Sequence, residues 1–318
     1  MKGLRHAAMA AALGAALLAA PGARARDTAA LDYRLKPVTV AEGVHVIPGA
    51  VEDFSRANGC NIINTGFVVG RDGVVVVNTG PSRLYGEQMR RVIAAVTDRP
   101  VLKVLNLNLH PDYFFGNQAF EQGKLAATAR TAAGIRAEGK AYEDNLYRLC
   151  GDWMRGTERV DPQPVLQAGT LELGDRTLEL IELAGHTDSD LVLLDRATGT
   201  VFAGGLVFTD RVPTTPHADI PRWLASLDAL ERLGAKVIVP SHGNVARDAR
   251  GIAQTRDYLR WLDASLRAAA RRGAEMVDVL EQPVPEAFRN MAAFDTEYVR
   301  NVTHLYPRYE REALGAPR

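Results

Sequence analysis

Three observations on the sequence predict an α/β protein with the architecture of a four-layer αββα sandwich. Short β-branched runs alternate with stretches of helical periodicity along the 318 residues. Segments 67–80 and 191–204 share one pattern of strand, tight turn, strand and glycine, and a helix and another apolar strand follow each. No Pro/Ser/Gly-rich linker separates the two halves, which predicts one domain. Because each sheet must bury an apolar face, the halves would stack with their helices outside.

The first half predicts four strands and one helix. Its strands are β-branched and separated by glycines, and Arg71-Asp72-Gly73 predicts a hairpin turn. Pro81-Ser82 should open a helix, since apolar residues follow at helical spacing. The expected strands span residues 44–47, 60–69, 74–78 and 101–107.

The second half predicts a similar series that ends in a long helix. Apolar residues at helical spacing around Trp223 predict one helix, and residues 247–272 predict a long amphipathic one. The ordered chain should end near Arg308. The expected strands span residues 170–173, 177–183, 191–194, 200–202 and 237–239.

The N-terminus has the pattern of a secretory signal peptide. Two basic residues precede an apolar stretch at residues 7–20, and Ala23-Arg24-Ala25 fits the small-residue rule for cleavage after Ala25. This 14-residue stretch is shorter than the roughly 20 residues of a spanning helix, although an uncleaved anchor is the alternative. We expect residues 1–25 to be removed, and residues 26–318 to form one periplasmic or secreted domain with no membrane span.

The charge balance argues against a nucleic-acid partner. The chain carries 38 basic and 38 acidic side chains. Removing residues 1–25 deletes three basic and no acidic residues, which leaves 35 against 38, a net charge of −3. Binding of phosphate backbones needs clustered Lys and Arg, and the sequence has no such cluster.

Two cysteines, Cys60 and Cys150, lie in the expected mature chain. Export would place them in an oxidising compartment, where an even count favours a bridge. We expect a Cys60–Cys150 disulfide, with two buried free thiols as the alternative.

Polar clusters follow three of the predicted strands. They are residues 106–117, Gly185-His186-Thr187 and Pro240-Ser241-His242-Gly243. Ligands of α/β sheets usually bind beyond strand ends. Each histidine alone is more often a surface or capping residue, but the three sites together favour ligation.

These landmarks, in this order, resemble the metallo-β-lactamase superfamily, and they span most of the expected mature chain. The resemblance implies the metallo-β-lactamase fold. The family has an Asp-Thr-Gly, a His-x-His-x-Asp-His followed by Gly-Asn or Gly-Gly, a lone His, a bridging Asp and a late His. The matching residues here are Asn78-Thr79-Gly80, Asn108-x-His110-x-Asp112-Tyr113 with Gly116-Asn117, His186, Gly205 and His242.

Within the superfamily, the chain is most similar to the quinoprotein relay system zinc metallohydrolases. Segments 52–59, 110–120 and 205–217 carry this likeness. It implies an exported protein that works beside dehydrogenases dependent on pyrroloquinoline quinone (PQQ). It does not imply a substrate.

Intact members of the superfamily hold two zinc ions, and this chain departs from their ligand pattern at Asn78, Asn108, Tyr113 and Gly205. Two divalent ions carry a charge of +4, whereas Asp112 is the only carboxylate of this sequence that matches a carboxylate of the family motifs. A positive charge that the surrounding ligands do not balance is unfavourable in a cleft with little water. We expect at most one zinc ion.

The sequence leaves two ligand sets open for that ion. His110 and His186 would supply two nitrogen donors, with the Asn108 amide oxygen and a water completing a tetrahedron. Each set is one strong ligand short of the usual three.

In the second set, Asp112 and His242 would hold the ion with Tyr113 as an unusual third ligand. Asp210 and His217 lie just downstream of the lost bridging carboxylate. Either could reach back to replace it, or both could cap or salt-bridge the loop before the next helix.

The first functional hypothesis is an exported zinc hydrolase with a small-molecule substrate. A zinc-bound water at His110 and His186 would attack an ester, lactone or thioester carbonyl. Asp112 would orient the water or accept its proton. His242 would stabilise the oxyanion or protonate the leaving group.

The alternative is a binding or escort protein that kept the cleft and lost the metal. It would carry a quinone cofactor or dock a periplasmic dehydrogenase. A β-lactamase proper ranks below both.

The signal-peptide interpretation predicts a mature chain that begins at Arg26. Intact-mass measurement of the periplasmic fraction should show this species, and a variant lacking residues 7–20 should remain unprocessed in the cytoplasm. A full-length 34.5 kDa chain in the membrane fraction would instead identify an uncleaved anchor.

Overall fold

β-Branched and apolar strands build the centre of the molecule in the computed structural model, which describes residues 31–163 and 165–315. From Tyr33 onward the chain forms one compact unit. The strands are β1 (Val38–Ala41), β2 (Val44–Ile47), β3 (Thr65–Val69), β4 (Val74–Val77), β5 (Val101–Leu105), β6 (Leu125–Thr128), β7 (Val165–Leu166), β8 (Gly169–Glu172), β9 (Thr177–Leu183), β10 (Asp190–Asp195), β11 (Thr200–Phe202), β12 (Phe208–Thr209), β13 (Val237–Val239) and β14 (His242–Gly243).

Helices lie between and after these strands. Ser82 caps the first helix by accepting a hydrogen bond from Tyr85 N, so the predicted start near Pro81-Ser82 is confirmed. The helices are α1 (Arg83–Val96), α2 (Pro111–Phe114), α3 (Ala129–Cys150), α4 (Ile220–Arg232), α5 (Arg250–Arg271), α6 (Met276–Leu280), α7 (Glu286–Arg289) and α8 (Phe294–Ala313).

In the described part of the chain, the strands form a seven-stranded sheet, a five-stranded sheet and a short two-stranded one. The first has the order β1-β2-β3-β4-β5-β6-β7, and the second has the order β13-β11-β10-β9-β8. Strand β12 pairs in parallel with β14. Both large sheets are mixed, which suits an α/β fold.

Three apolar cores separate four layers. Side chains of β2, β4, β9 and β10 pack together between the two large sheets. Helix α1 covers the outer face of the first sheet through Tyr85, Met89 and Ile93. Helices α4, α5 and α8 cover the second sheet. The predicted αββα sandwich is therefore confirmed.

The two similar sequence segments form equivalent units. Strands β3 and β4 make a hairpin, α1 follows, and β5 pairs in parallel with β4. Strands β10 and β11 make the second hairpin, α4 follows, and β13 pairs in parallel with β11. The carboxyl ends of β5 and β13 consequently carry two of the three polar segments that the sequence singled out.

Several predicted boundaries were wrong. The strand expected at residues 60–69 begins only at Thr65, because Cys60 adopts a positive φ of 61° within a turn. The strand expected at residues 101–107 ends at Leu105. The ordered chain does not end near Arg308, since α8 continues to Ala313 with Pro307 inside it. Helices α3, α6, α7 and α8 were not predicted from the sequence.

Cys60 and Cys150 form a disulfide with a Cα–Cα distance of 5.9 Å, so the predicted pairing is confirmed. It ties the turn before β3 to the end of α3. The predicted signal peptide, residues 1–25, lies outside the described residues. None of the described helices is long and apolar enough to span a bilayer.

Removing the disulfide should destabilise the fold through the unfolded state, because the bridge spans 90 residues of sequence. We expect the C60S/C150S variant to lose about 2–5 kcal/mol of unfolding free energy in urea titrations. Reductant should lower the stability of the wild-type chain to that of the variant and leave the variant unchanged. Equal stability of the oxidised wild-type and variant chains would contradict this role.

Candidate functional site

The predicted polar residues meet at the carboxyl ends of β5, β9, β11 and β13. His110 and His186 lie with ring centroids 4.7 Å apart, although they are far apart in sequence. The ring of Phe208 stacks on His242 at 5.1 Å and contacts His186 at 5.7 Å. All three histidines are buried. Folding thus brings the three imidazoles into one cluster.

Asp112 and His242 form the central contact of this cluster. Asp112 Oδ2 lies 2.9 Å from His242 Nε2, and both side chains are buried. On its other side, His242 Nδ1 lies 2.8 Å from Ser241 Oγ. A carboxylate, an imidazole and a hydroxyl therefore stand in one hydrogen-bonded row.

Asn64 and the neighbouring backbone fix the segment that carries this row. Asn64 Nδ2 donates to the carbonyls of Pro240 and Gly243 at 3.0 and 2.8 Å. The Ser241 amide donates to the Gly204 carbonyl, and the Ser241 carbonyl accepts a hydrogen bond from the Asn64 amide. Buried main chain that is satisfied in this way has little freedom to move.

Asn108 turns its amide nitrogen toward the cluster. Its Oδ1 accepts the His110 amide at 2.9 Å, and its Nδ2 lies 3.3 Å from His186 Nδ1. The amide oxygen that we expected to face a metal therefore bonds to the backbone. The side chain presents N–H groups to the site.

Asn78, the amide that stands where the family has a carboxylate, acts from behind the cluster. It adopts a φ of 57°, which Asn tolerates better than most residues, and its Oδ1 accepts the Leu107 amide at 3.0 Å. The amide thereby holds the segment that leads to Asn108.

His217 joins the cluster and Asp210 does not. His217 Nδ1 lies 3.0 Å from His110 Nε2. Its Nε2 lies 3.0 Å from Glu138 Oε1 on α3, and Glu138 also accepts the Tyr142 hydroxyl at 2.6 Å. Asp210 instead accepts a hydrogen bond from Asn244 on an exposed surface.

Helix α8 holds the loop that carries His217. Arg211 donates to Glu297 at 2.9 Å, and both side chains are buried. Asn301 accepts the Thr215 hydroxyl and donates to the Pro213 carbonyl. These bonds hold the 210–219 loop against His110, through His217, and against His186, through Thr214.

Tyr113 places a phenol where the family motif has a histidine. It is fully buried, and its hydroxyl lies near the side chains of Ser241 and Asn108 without a hydrogen bond of good geometry to any described residue. Burial, followed by the negative charge of Asp112, raises its pKa well above the ordinary value. The nearby polar side chains of Ser241 and Asn108 lower this pKa, but their effect is smaller than that of burial. The hydroxyl is therefore a neutral donor beside them.

Burial also keeps the central imidazoles neutral. Burial is the largest cause that lowers the pKa of His110, and the neighbouring imidazoles add to it. Burial lowers the pKa of His242 as well, against the opposing effect of Asp112. Neutral imidazoles keep one nitrogen lone pair available.

The side chains of the cluster do not fit a dinuclear zinc centre. Gly205 lies where the family has a bridging Asp, and a Cβ there would overlap His186 Nδ1 and lie 2.7 Å from Asn108 Nδ2. Asp112, His110 and His242 are committed to hydrogen bonds with other side chains. Within residues 31–163 and 165–315, no group of three or more His, Cys, Asp or Glu is arranged to hold a metal ion.

Sequence reasoning missed two members of the cluster, Ser241 and Glu138. Ser241 stands directly before His242 in a segment that the sequence singled out, so adjacency was the available signal. Glu138 lies on a helix that the sequence reading did not predict, and only folding brings it to His217.

Comparison with known proteins identifies relatives. The family model described as "Metallo-beta-lactamase superfamily" matches residues 58–242. The acyl-coenzyme A thioesterase MBLAC2 of Bos taurus is 25% identical over 210 residues, which cover 58% of this chain and 74% of that protein.

Solved structures share the fold. A metallo-beta-lactamase from Pontibacter korlensis superposes with a TM-score of 0.58 at 22% identity, covering 71% of this chain and 99% of the other. One from Hirschia baltica gives 0.54 at 17% identity, covering 71% and 97%. These likenesses confirm the predicted fold and, at such identities, show the fold alone.

A side chain at position 205 should be poorly tolerated because His186 fills the space beside it. We expect G205A to lose about 1–3 kcal/mol of unfolding free energy in urea titrations. Gly123 is the matched control, since a Cβ there meets nothing within 4 Å. G123A should stay within about 0.5 kcal/mol of the wild type. Equal effects of the two substitutions would show that His186 does not occupy this space.

Proposed function

This chain belongs to the metallo-β-lactamase superfamily of hydrolases, and from that premise we propose that it hydrolyses an acyl ester or acyl thioester bond in a small molecule. Asp112 and His242 would be the proton-transfer pair. The proposal depends above all on the buried hydrogen bond of 2.9 Å between them.

The geometry of that pair suits general acid–base chemistry. A carboxylate oriented on one ring nitrogen fixes the tautomer of the imidazole and stabilises its protonated form. The other nitrogen is then free to accept and return a proton. The stacked Phe208 ring and the clamped 240–243 segment hold the imidazole in one orientation.

The substrate class is supported by a relative. The Bos taurus protein is named an acyl-coenzyme A thioesterase, and this chain covers 74% of its length. Ester, lactone and thioester carbonyls share one chemistry, in which a nucleophile adds and an oxyanion forms. We therefore assign the acyl carbonyl class to this site.

The superfamily typically binds zinc, and this chain would hold at most one ion. The lost carboxylates and the filled space beside Gly205 support that limit. No step of the proposed chemistry is assigned to a metal ion, because no three His, Cys, Asp or Glu side chains among the described residues are arranged to hold one.

Export and association with PQQ-dependent dehydrogenases complete the proposal. The sequence of residues 1–25 supports export, and segments 52–59, 110–120 and 205–217 support the association. The alternative, a binding or escort protein for a quinone cofactor or a periplasmic dehydrogenase, predicts no hydrolysis.

The test is hydrolysis of aryl esters, lactones and acyl thioesters by the purified mature chain. Loss of the proton-transfer pair in D112N or H242Q should lower kcat/KM by about 10²–10⁴-fold while the chain stays folded. D152N and H45Q are the matched controls, since Asp152 is exposed and His45 lies outside the cluster. Both controls should keep the wild-type rate.

Metal analysis of the same preparation should find no more than one zinc per chain. Two zinc ions per chain would contradict that limit. Unchanged hydrolysis in D112N and H242Q would contradict the assigned pair, and no hydrolysis of any substrate class would favour the escort alternative.

A further inference from the structure

We propose that Ser241 is the nucleophile of a serine-hydrolase triad, Ser241–His242–Asp112, which needs no metal ion. The inference rests on the proposed hydrolysis of acyl bonds and names the residue that forms the covalent intermediate. It is carried by the hydrogen-bonded row that joins these three side chains.

The direction of each hydrogen bond in the row follows from donor and acceptor chemistry. A carboxylate can only accept, so His242 must donate its Nε2 proton to Asp112. A neutral imidazole then has its lone pair on Nδ1. The Ser241 hydroxyl, 2.8 Å away, is thereby the donor to Nδ1. This is the arrangement in which an imidazole removes the proton of a nucleophilic serine.

Two further polar side chains, Tyr113 and Asn108, lie close to this row. The fully buried Tyr113 hydroxyl lies beside Ser241 and Asn108 and makes no hydrogen bond of good geometry to any described residue. A buried unpaired hydroxyl is unfavourable, so its donor is available for a developing negative charge. The Asn108 amide nitrogen lies 3.3 Å from His186 Nδ1 in the same cluster and supplies a second neutral donor.

The same substitutions that remove zinc ligands supply these parts. Tyr113 and Asn108 replace two imidazoles of the family motif with neutral donors, and Gly205 leaves space that His186 occupies. Each of these three residues would impair a dinuclear zinc enzyme. A serine hydrolase would use two of them, Tyr113 and Asn108, as hydrogen-bond donors.

Ser241 is only 2% exposed, and the cluster reaches solvent at its outer part. That part is His217 and Glu138, whose side chains are 28% and 37% exposed.

The chemical steps balance without another reactant besides water. Ser241 Oγ attacks the acyl carbonyl carbon, and its proton passes to His242 Nδ1. The tetrahedral oxyanion accepts hydrogen bonds from Tyr113 and Asn108. The carbon–oxygen or carbon–sulfur bond then breaks, and His242 returns the proton to the leaving group. Water attacks the acyl-serine in the same way, which releases the acid and restores the hydroxyl.

The first experiment labels the mature chain with a fluorophosphonate probe in excess chelator and locates the adduct by tryptic mass spectrometry. The tryptic peptide 237–247 contains Ser241 as its single hydroxyl residue, so the assignment is unambiguous. We expect close to one adduct per chain in this peptide. It should be absent from S241A, and D112N and H242Q should slow its formation at least about 100-fold.

The second experiment measures ester and thioester hydrolysis by the same variants with and without chelator. We expect S241A to lose about 10³-fold or more of kcat and the wild-type rate to resist chelator. S226A is the matched control, because Ser226 is also buried but lies on α4 and bonds to the Ala184 carbonyl. It should keep both the adduct and the rate.

The outcomes separate the triad from the broader function. Hydrolysis that persists in S241A, without an adduct on Ser241, would overturn the triad and leave acyl hydrolysis in place. A rate abolished by chelator would also overturn it. An adduct on Ser241 with no hydrolysis would support the nucleophile and reject the substrate class. Absence of both in a folded chain would reject both.

Discussion

The hydrogen bond between Asp112 and His242 joins the two halves of the molecule at the site. The two residues are 130 positions apart in sequence, one in the short helix after β5 and the other in β14 after β13. A buried carboxylate without a partner is strongly unfavourable, so each side chain depends on the other. The contact can form only when both βαβ units have folded and the two sheets have stacked. The site is therefore a product of the whole sandwich.

Neutral groups surround this pair where the family motifs carry carboxylates and imidazoles. His186 stands beside Gly205, the Asn108 amide turns its nitrogen inward, and the Tyr113 phenol lies fully buried. A dinuclear centre needs anionic ligands to balance the charge of its ions. A pocket of neutral donors around one imidazole–carboxylate pair is instead suited to stabilising a single developing oxyanion. The family's scaffold is kept, and four motif positions carry other residues, Asn78, Asn108, Tyr113 and Gly205.

Preorganisation of the site comes from structure outside it. Asn64 holds the 240–243 segment through two carbonyls, and the buried Arg211–Glu297 pair anchors the loop that carries His217. Asn64 contacts Ser241 through the main chain, since its amide donates to the Ser241 carbonyl at 2.7 Å. Because the bonds of these residues are buried, they restrain the main chain more strongly than exposed contacts would. Precise placement of Ser241 and His242 is thus shared among distant parts of the chain.

Local sequence determined the layers of the fold and part of the site. The period-2 and period-3.6 patterns predicted β2, β9, β11 and β13, and the two similar segments predicted the paired halves. The order of His110, His186 and His242 identified the family, and the cysteine count predicted the disulfide. These features depend on residue type and spacing, which the sequence states directly.

Tertiary structure alone decided which groups act together. It brought Glu138 and His217 to His110, excluded Asp210, and turned the Asn108 oxygen to the backbone. It also placed the Ser241 hydroxyl within 2.8 Å of His242 Nδ1. The physical reason is that hydrogen bonds depend on distance and angle between atoms from separate elements. Spacing along the chain does not fix those quantities until the sheets have packed.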